Sequence, residues 1–187
     1  MTAVGAGVDE AAAYQPRIFE SMGLRVAFVG FSEILPFEFR ALGSNPGSAW
    51  AFPDRVGDSI RRARRHADVV IATFHWGVER ATVESPRQRA MANPALESGA
   101  TAVIGAHPHV LQPVRRAGPK LIAYSLGNFV FSAVSPGTSR TGILRIGFGR
   151  GRVLDSTMLP ATIRGSRPIL DRWAERGRGQ TRGSQYG

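Results

Sequence analysis

No cysteine occurs among the 187 residues. A disulfide framework and thiolate metal sites are therefore excluded, which leaves imidazole, carboxylate and amide oxygen as the ligands available to a cation. Those donors suit manganese, zinc or iron. Lysine is almost missing as well: Lys120 is the only one, so the net charge of +10 rests on arginine. No stretch approaches the roughly 20 apolar residues that a membrane-spanning helix needs. Met1 is followed by Thr-Ala-Val-Gly-Ala-Gly rather than by a basic and then an apolar segment, so neither a membrane span nor an export signal is expected here. Internal repeats are absent, and no compartment follows from the sequence.

What the chain does contain, 43% hydrophobic residues, is enough for one compact domain. That domain is expected over residues 1–165. Residues 166–187, basic and ending in a Gly/Ser/Gln-rich stretch, are expected to form a disordered tail. Arginine binds two oxygens at once through its planar fork, which suits an anionic small-molecule or polymer substrate. Codon usage in a GC-rich genome explains the same excess. Arg61, Arg62, Arg64 and Arg65 fall on one helix and read as a solvated face. No recognition fold accompanies the charge, so nucleic acid is not an expected partner.

Residues 9–22 are expected to be helical, with Asp9 as N-cap, a break or restart near Pro16 and Gly23 as terminator. A strand over 25–30 follows, then a long loop from about 31 to 53. Val56, Ile60 and Ala63 mark an amphipathic helix over 54–66, with His66 at its C-terminus in a structural role. Ser85-Pro86-Arg87-Gln88 is a capping box opening a helix that Gly99 closes and Pro94 kinks or splits. Further strands are expected at 121–125, 143–148 and 152–158.

Two β-branched apolar runs, Val69 to Phe74 and Thr101 to Gly105, read as buried parallel strands of one βαβ unit. Each ends in histidine: His75 after the first, His107 and His109 after the second. Ligands of open α/β sheets sit outside the carboxyl ends of the strands. An extended His107-Pro108-His109 segment would point both rings to one side, so His75, His107 and His109 together make a candidate metal site. The competing reading is a turn in which both imidazoles bond to backbone. Asn128, in a Gly127-Asn128 turn, is placed to orient a ligand histidine or a bound water, and Glu79 is the nearest carboxylate to His75. Asp68, at the opposite end of its strand, reads as structural.

The ordered series Gly5-Ala6-Gly7, Gly23-Leu24-Arg25-Val26-Ala27, Ala67-Asp68-Val69-Val70-Ile71, His75-Trp76-Gly77 with Glu79, Val103-Ile104-Gly105 with His107-Pro108-His109, Gln112-Pro113 and Tyr124-Ser125-Leu126-Gly127-Asn128-Phe129 resembles the CapA-type poly-γ-glutamate capsule-synthesis proteins. These belong to the calcineurin-like metallophosphoesterase group. The resemblance covers roughly residues 4–132. It implies a layered α/β sandwich and a pair of divalent metals that activate water against a phosphate ester, with His75, His107 and His109 as the C-terminal contribution. The family's earlier acidic and Asn-Asn-His motifs have no counterpart here, so an N-terminally truncated fold with an incomplete ligand set is expected. Arg80 stands where the family commonly has an aromatic residue, and Ala106 where a second histidine is common. Three functions are carried forward: a CapA-like protein of capsule or surface-polymer synthesis with a metal-dependent hydrolase site, a non-catalytic half-domain that binds an anionic polymer or partner chain or self-associates, and a mononuclear three-histidine zinc hydrolase.

Overall fold

The computed structural model describes residues 2–34, 36–133 and 135–171. In chain order the elements are β1 (Ala6–Gly7), α1 (Glu10–Ala13), β2 (Arg17–Ser21), β3 (Leu24–Ser32), a 3-10 turn Phe37–Phe39, β4 (Gly47–Ser48), α2 (Pro53–Arg64), β5 (Val69–His75), α3 (Pro86–Glu97) and β6 (Ala102–Ala106). They continue with β7 (Val114–Ala117), β8 (Lys120–Ala123), α4 (Pro136–Ser139), β9 (Arg140–Gly149), β10 (Arg152–Arg164) and β11 (Arg167–Leu170).

Six strands form one sheet in the order β2-β3-β5-β6-β8-β7. Its centre, β3-β5-β6-β8, is parallel, and an antiparallel strand closes each edge. The chain steps from β3 to β5 to β6 in one direction, so α2 and α3 cross over the same face. Val56, Ile60 and Ala63 of α2 and Met91, Ala92 and Ala95 of α3 pack there against Val29, Phe31, Ala72, Phe74 and Val103. On the other face, β9, β10 and β11 make a separate antiparallel sheet that covers only the β8 side, with Leu121, Ala123 and Val153 as its buried seam.

Helix 9–22 of the sequence reading is corrected. Asp9 does cap a helix, its carboxylate accepting from Ala12 N at 2.7 Å, but that helix ends at Ala13. Proline cannot continue a helix and pushes the residue before it out of the α region, so Pro16 ends it for good. Residues 17–21 then pair with β3 through a two-residue turn in which Met22 (φ 50) and Gly23 (φ 76) are both left-handed. Such a turn matches the twist of a hairpin. Gly23 is thus a turn residue, not a helix terminator. Strand β7 also escaped the sequence reading: its Val-Arg-Arg-Ala lacks an apolar run, and it forms by pairing with β8 at the sheet edge. Pro94 lies inside a continuous α3, so it does not split the helix. The strand Arg167–Leu170 occupies the beginning of the expected tail, because it pairs with β10. The rest of the tail expectation, 172–187, lies outside the described residues.

The capping box is present as expected: Ser85 Oγ accepts from Gln88 N, and Gln88 Oε1 accepts from Ser85 N. Gln88 is fully buried and its Nε2 also donates to Gln112 Oε1 at 2.8 Å. Gln112 in turn donates to the Ala81 and Val83 carbonyls at 2.8 and 3.2 Å, tying the loop after β5 to the strands. Removing a buried partner leaves the other group desolvated at about 1–3 kcal/mol. Gln88→Ala strands both Ser85 N and Gln112 Oε1, so a loss of about 2–4 kcal/mol in urea unfolding is expected; a loss below about 0.5 kcal/mol would mean that the pair carries no structural weight.

Candidate metal centre

Strands β5 and β6 pair in parallel with His75 opposite Ala106, so the chain leaves both at the same rim of the sheet. His75 is the last residue of β5, and its carbonyl accepts from Glu33 N at 2.9 Å. The next residue turns inward: Trp76 is fully buried, stacked on Phe74 at 4.4 Å, and its indole donates to the Tyr124 carbonyl at 3.0 Å. Gly105 makes that approach possible. A Cβ there would overlap both the Tyr124 carbonyl oxygen and the Trp76 indole nitrogen.

The segment after β6 is not extended. His107 has φ 103 and His109 φ 61, so the chain bends sharply around Pro108. The rings converge through this bend rather than through the alternation of an extended strand. Centroids of His75 and His107 lie 4.9 Å apart and those of His107 and His109 5.9 Å apart. Positive φ at two non-glycine residues costs of order 1–3 kcal/mol each and persists only where surrounding contacts impose it. One such contact is Arg80 N donating to the Pro108 carbonyl at 2.8 Å, which fastens the loop after β5 to the bend. That clamp carries Glu79 to the histidines.

Glu79, His107 and His109 bring one ligand atom each to within 4.8 Å of one another. This is the closest grouping of possible metal ligands among the described residues, and it differs from the expected triad. His75 flanks it beside His107, while the exposed Glu79, read from sequence only as the nearest carboxylate, stands inside it. His66 is exposed at the end of α2, and Asp68 accepts from Arg25 N at 2.9 Å at the opposite end of the sheet. Both lie apart from the cluster.

Asn128 is buried and binds the bend from behind. Its Nδ2 donates to the carbonyls of His109 and Thr138 at 3.4 and 3.2 Å, which turns its Oδ1 toward His109 Nδ1 at 2.7 Å. An amide oxygen only accepts, so Nδ1 carries the proton and Nε2 keeps the lone pair that a cation needs. Phe131 lies against the same ring at 5.2 Å. Burial, with a smaller push from His107 and His109, holds the His75 pKa below the ordinary imidazole value. Burial likewise lowers His107, partly opposed by Glu79 and reinforced by His109. Both rings are therefore neutral at neutral pH, the state in which imidazole binds metal. Two neutral imidazoles, a carboxylate and an oriented ring form a donor set that fits a divalent cation.

The model of the family described as "Bacterial capsule synthesis protein PGA_cap" matches residues 1–133. The PGA biosynthesis protein CapA of Bacillus subtilis is 36% identical over 129 residues, which are 68% of this chain and 34% of that protein. The capsule biosynthesis protein CapA of Bacillus anthracis is 40% identical over 113 residues, 58% of this chain and 28% of that protein. The chain thus spans about a third of the length of these relatives. Among solved structures, the NAD nucleotidase of Haemophilus influenzae superposes with a TM-score of 0.55 at 11% identity, over 86% of this chain and 34% of that one. That likeness concerns the fold alone, the layered α/β architecture expected from the sequence. By sequence, the chain belongs to the bacterial capsule synthesis family represented by the CapA proteins.

Proposed function

We propose that the rim cluster binds a divalent cation and that the chain serves capsule or poly-γ-glutamate synthesis by supplying ligands to a metal-dependent, phosphoesterase-like hydrolytic site. The observation that supports this best is the meeting of Glu79, His107 and His109 within 4.8 Å at the carboxyl ends of parallel strands. Manganese, zinc or iron suits these donors. When bound, such a cation acts as a Lewis acid on a phosphoryl or acyl oxygen and acidifies its water. The chain's own residues do the remaining work. His107 and His109 offer lone pairs, Asn128 keeps the His109 proton on Nδ1, and Glu79 contributes negative charge. His75 extends the donor surface toward a second position. The tight group contains Glu79 in place of His75, which favours a mixed His-His-Glu set over a three-histidine zinc site. Substrates of this reading are anionic small molecules or polymers, and the cell envelope is the place where such a polymer is assembled.

A second reading is favoured by one further observation. On the sheet face opposite α2 and α3, Val26, Phe28, Ile71 and Thr73 stay half-buried, and Phe19 is 46% exposed. His75 continues the alternation of Ile71 and Thr73, so this face runs up to the cluster. A partner chain, or a second copy, laid on it would cover apolar surface and border the same histidines.

Three outcomes are expected. In calorimetric titration of the chelator-treated chain with manganese, the wild type binds and the double variant His107→Ala/His109→Ala does not; undiminished binding by the double variant would refute the site. Asn128→Ala is expected to weaken binding about 10–100-fold by freeing the His109 ring. Protons compete with the cation for the imidazoles, and the lowered pKa values of His75 and His107 move that competition to lower pH. Affinity should therefore be flat from pH 8 down to about 6.5 and fall only below the value of a free imidazole. Loss already at pH 7.5 would contradict this. For the second reading, light scattering at rising concentration should show association that Phe19→Lys weakens; a strict monomer throughout would remove it.

A further inference from the structure

We infer that Arg80 forms an anion-binding subsite beside the proposed cation position, built for a second carboxylate or phosphate of an anionic substrate. The inference rests on the cation reading above, and the experiment below separates the two.

A cavity of about 180 Å³ opens next to the cluster, lined by Glu79, Arg80, His109, Asn128, Phe131 and Ser132 among others. At roughly 30 Å³ per water, it has room for one oxyanion group. Arg80 and Ser132 bring donors to it, His109 and Phe131 an aromatic wall. The backbone fixes Arg80 in an uncommon state: φ is 62, and its N–H is held by the Pro108 carbonyl at 2.8 Å. The Arg80 backbone is thereby pinned between a candidate ligand and the cavity, which keeps its guanidinium within reach of both.

The guanidinium is also uncommitted. Arg55 pairs with Glu10, Arg61 with Asp58, Arg87 with Glu33 and Arg115 with Glu84, each at 2.8–3.0 Å. Among the described residues, the Arg80 side chain makes no such ion pair or hydrogen bond. Its five donors therefore face solvent or a ligand, and a planar fork takes a carboxylate or phosphate with two bonds at once. The neighbouring Glu79 carboxylate repels an anion until a cation neutralises it. Anion and cation should therefore bind with mutual reinforcement, since coupling between two sites is reciprocal.

The test titrates the whole chain with inorganic phosphate and, separately, with triglutamate, each with and without manganese. Arg80→Asn is the working variant because asparagine accepts positive φ, and Arg80→Lys keeps charge without the fork. Arg65→Ala, an exposed arginine at the far end of the sheet, controls for net charge. Arg80→Asn is expected to weaken anion binding about tenfold, the size of a charge-assisted bond lost, while manganese affinity stays equal or rises as a positive charge leaves. Arg80→Lys should recover only part, and manganese should strengthen anion binding to the wild type. The stronger of the two anions assigns the subsite to phosphate or to carboxylate. Equal losses in Arg80→Asn and Arg65→Ala, or no anion bound by the wild type in either state, overturn the inference. Anion binding that depends on Arg80 without any uptake of manganese keeps the inference and overturns the cation reading instead.

Discussion

The parallel pairing of β5 with β6 governs everything at the rim. It sets His75 opposite Ala106, so two loops far apart in sequence start from neighbouring points and head the same way. An antiparallel neighbour would send them to opposite ends of the sheet. Residue 105 on β6 is glycine, which admits the Trp76 indole and the Tyr124 carbonyl where a side chain would stand. Trp76 then fills the helix-covered core beneath the rim, and the histidine before it is left at the surface. One missing Cβ therefore links core packing to the position of a candidate ligand.

Above that base the rim is built under strain. His107, His109 and Arg80 all hold positive φ, the histidines beside the buried Pro108 and Val110 and Arg80 in an exposed stretch. What holds them is polar and mostly buried: Gln88 to Gln112, Gln112 to the Ala81 and Val83 carbonyls, Asn128 to His109 and Thr138, and Arg80 N to the Pro108 carbonyl. Such a network contributes specificity of geometry more than net free energy, since each bond replaces one to water. Strained side chains fixed by satisfied polar groups are the arrangement expected where ligand atoms must be preorganised.

Much of this was legible in the sequence because the signals were local. The two β-branched runs, the capping box and the amphipathic α2 each declare themselves within a dozen residues, and parallel topology follows from their order. The convergence of three histidines at one rim was legible for the same reason, although the means was not: positive φ is uncommon for any non-glycine residue, and nothing local to His107 or His109 marks it. Glu79 was placed only near the site, since a loop carboxylate is indistinguishable from a solvated one until the Arg80–Pro108 clamp is seen. The hairpin Arg17–Ser21 with Leu24–Ser32 was misread because Ala11 to Ala13 begins a true helix and Met22 is an unusual left-handed turn residue. Strands β7 and β11 are only four residues long and exist through their partners, information that no window of sequence contains.

Charge bookkeeping ties the cluster to its surroundings. Held by imidazole nitrogens and a single carboxylate, Glu79, a divalent cation would leave a surplus of +1 at the rim, and Arg80 adds another. Such a surplus beside a low-dielectric, half-covered sheet face is compensated most readily by an anion that bridges the two positive centres. The same surplus disfavours a neutral ligand, which would leave both charges to solvent alone. On the proposed cation reading, this rim would favour substrates bearing at least two oxyanion groups a few ångströms apart. A γ-linked glutamate chain, with a free carboxylate on every residue, has that pattern, as does a molecule bearing two phosphates; they differ in whether the group over the cation is planar or tetrahedral.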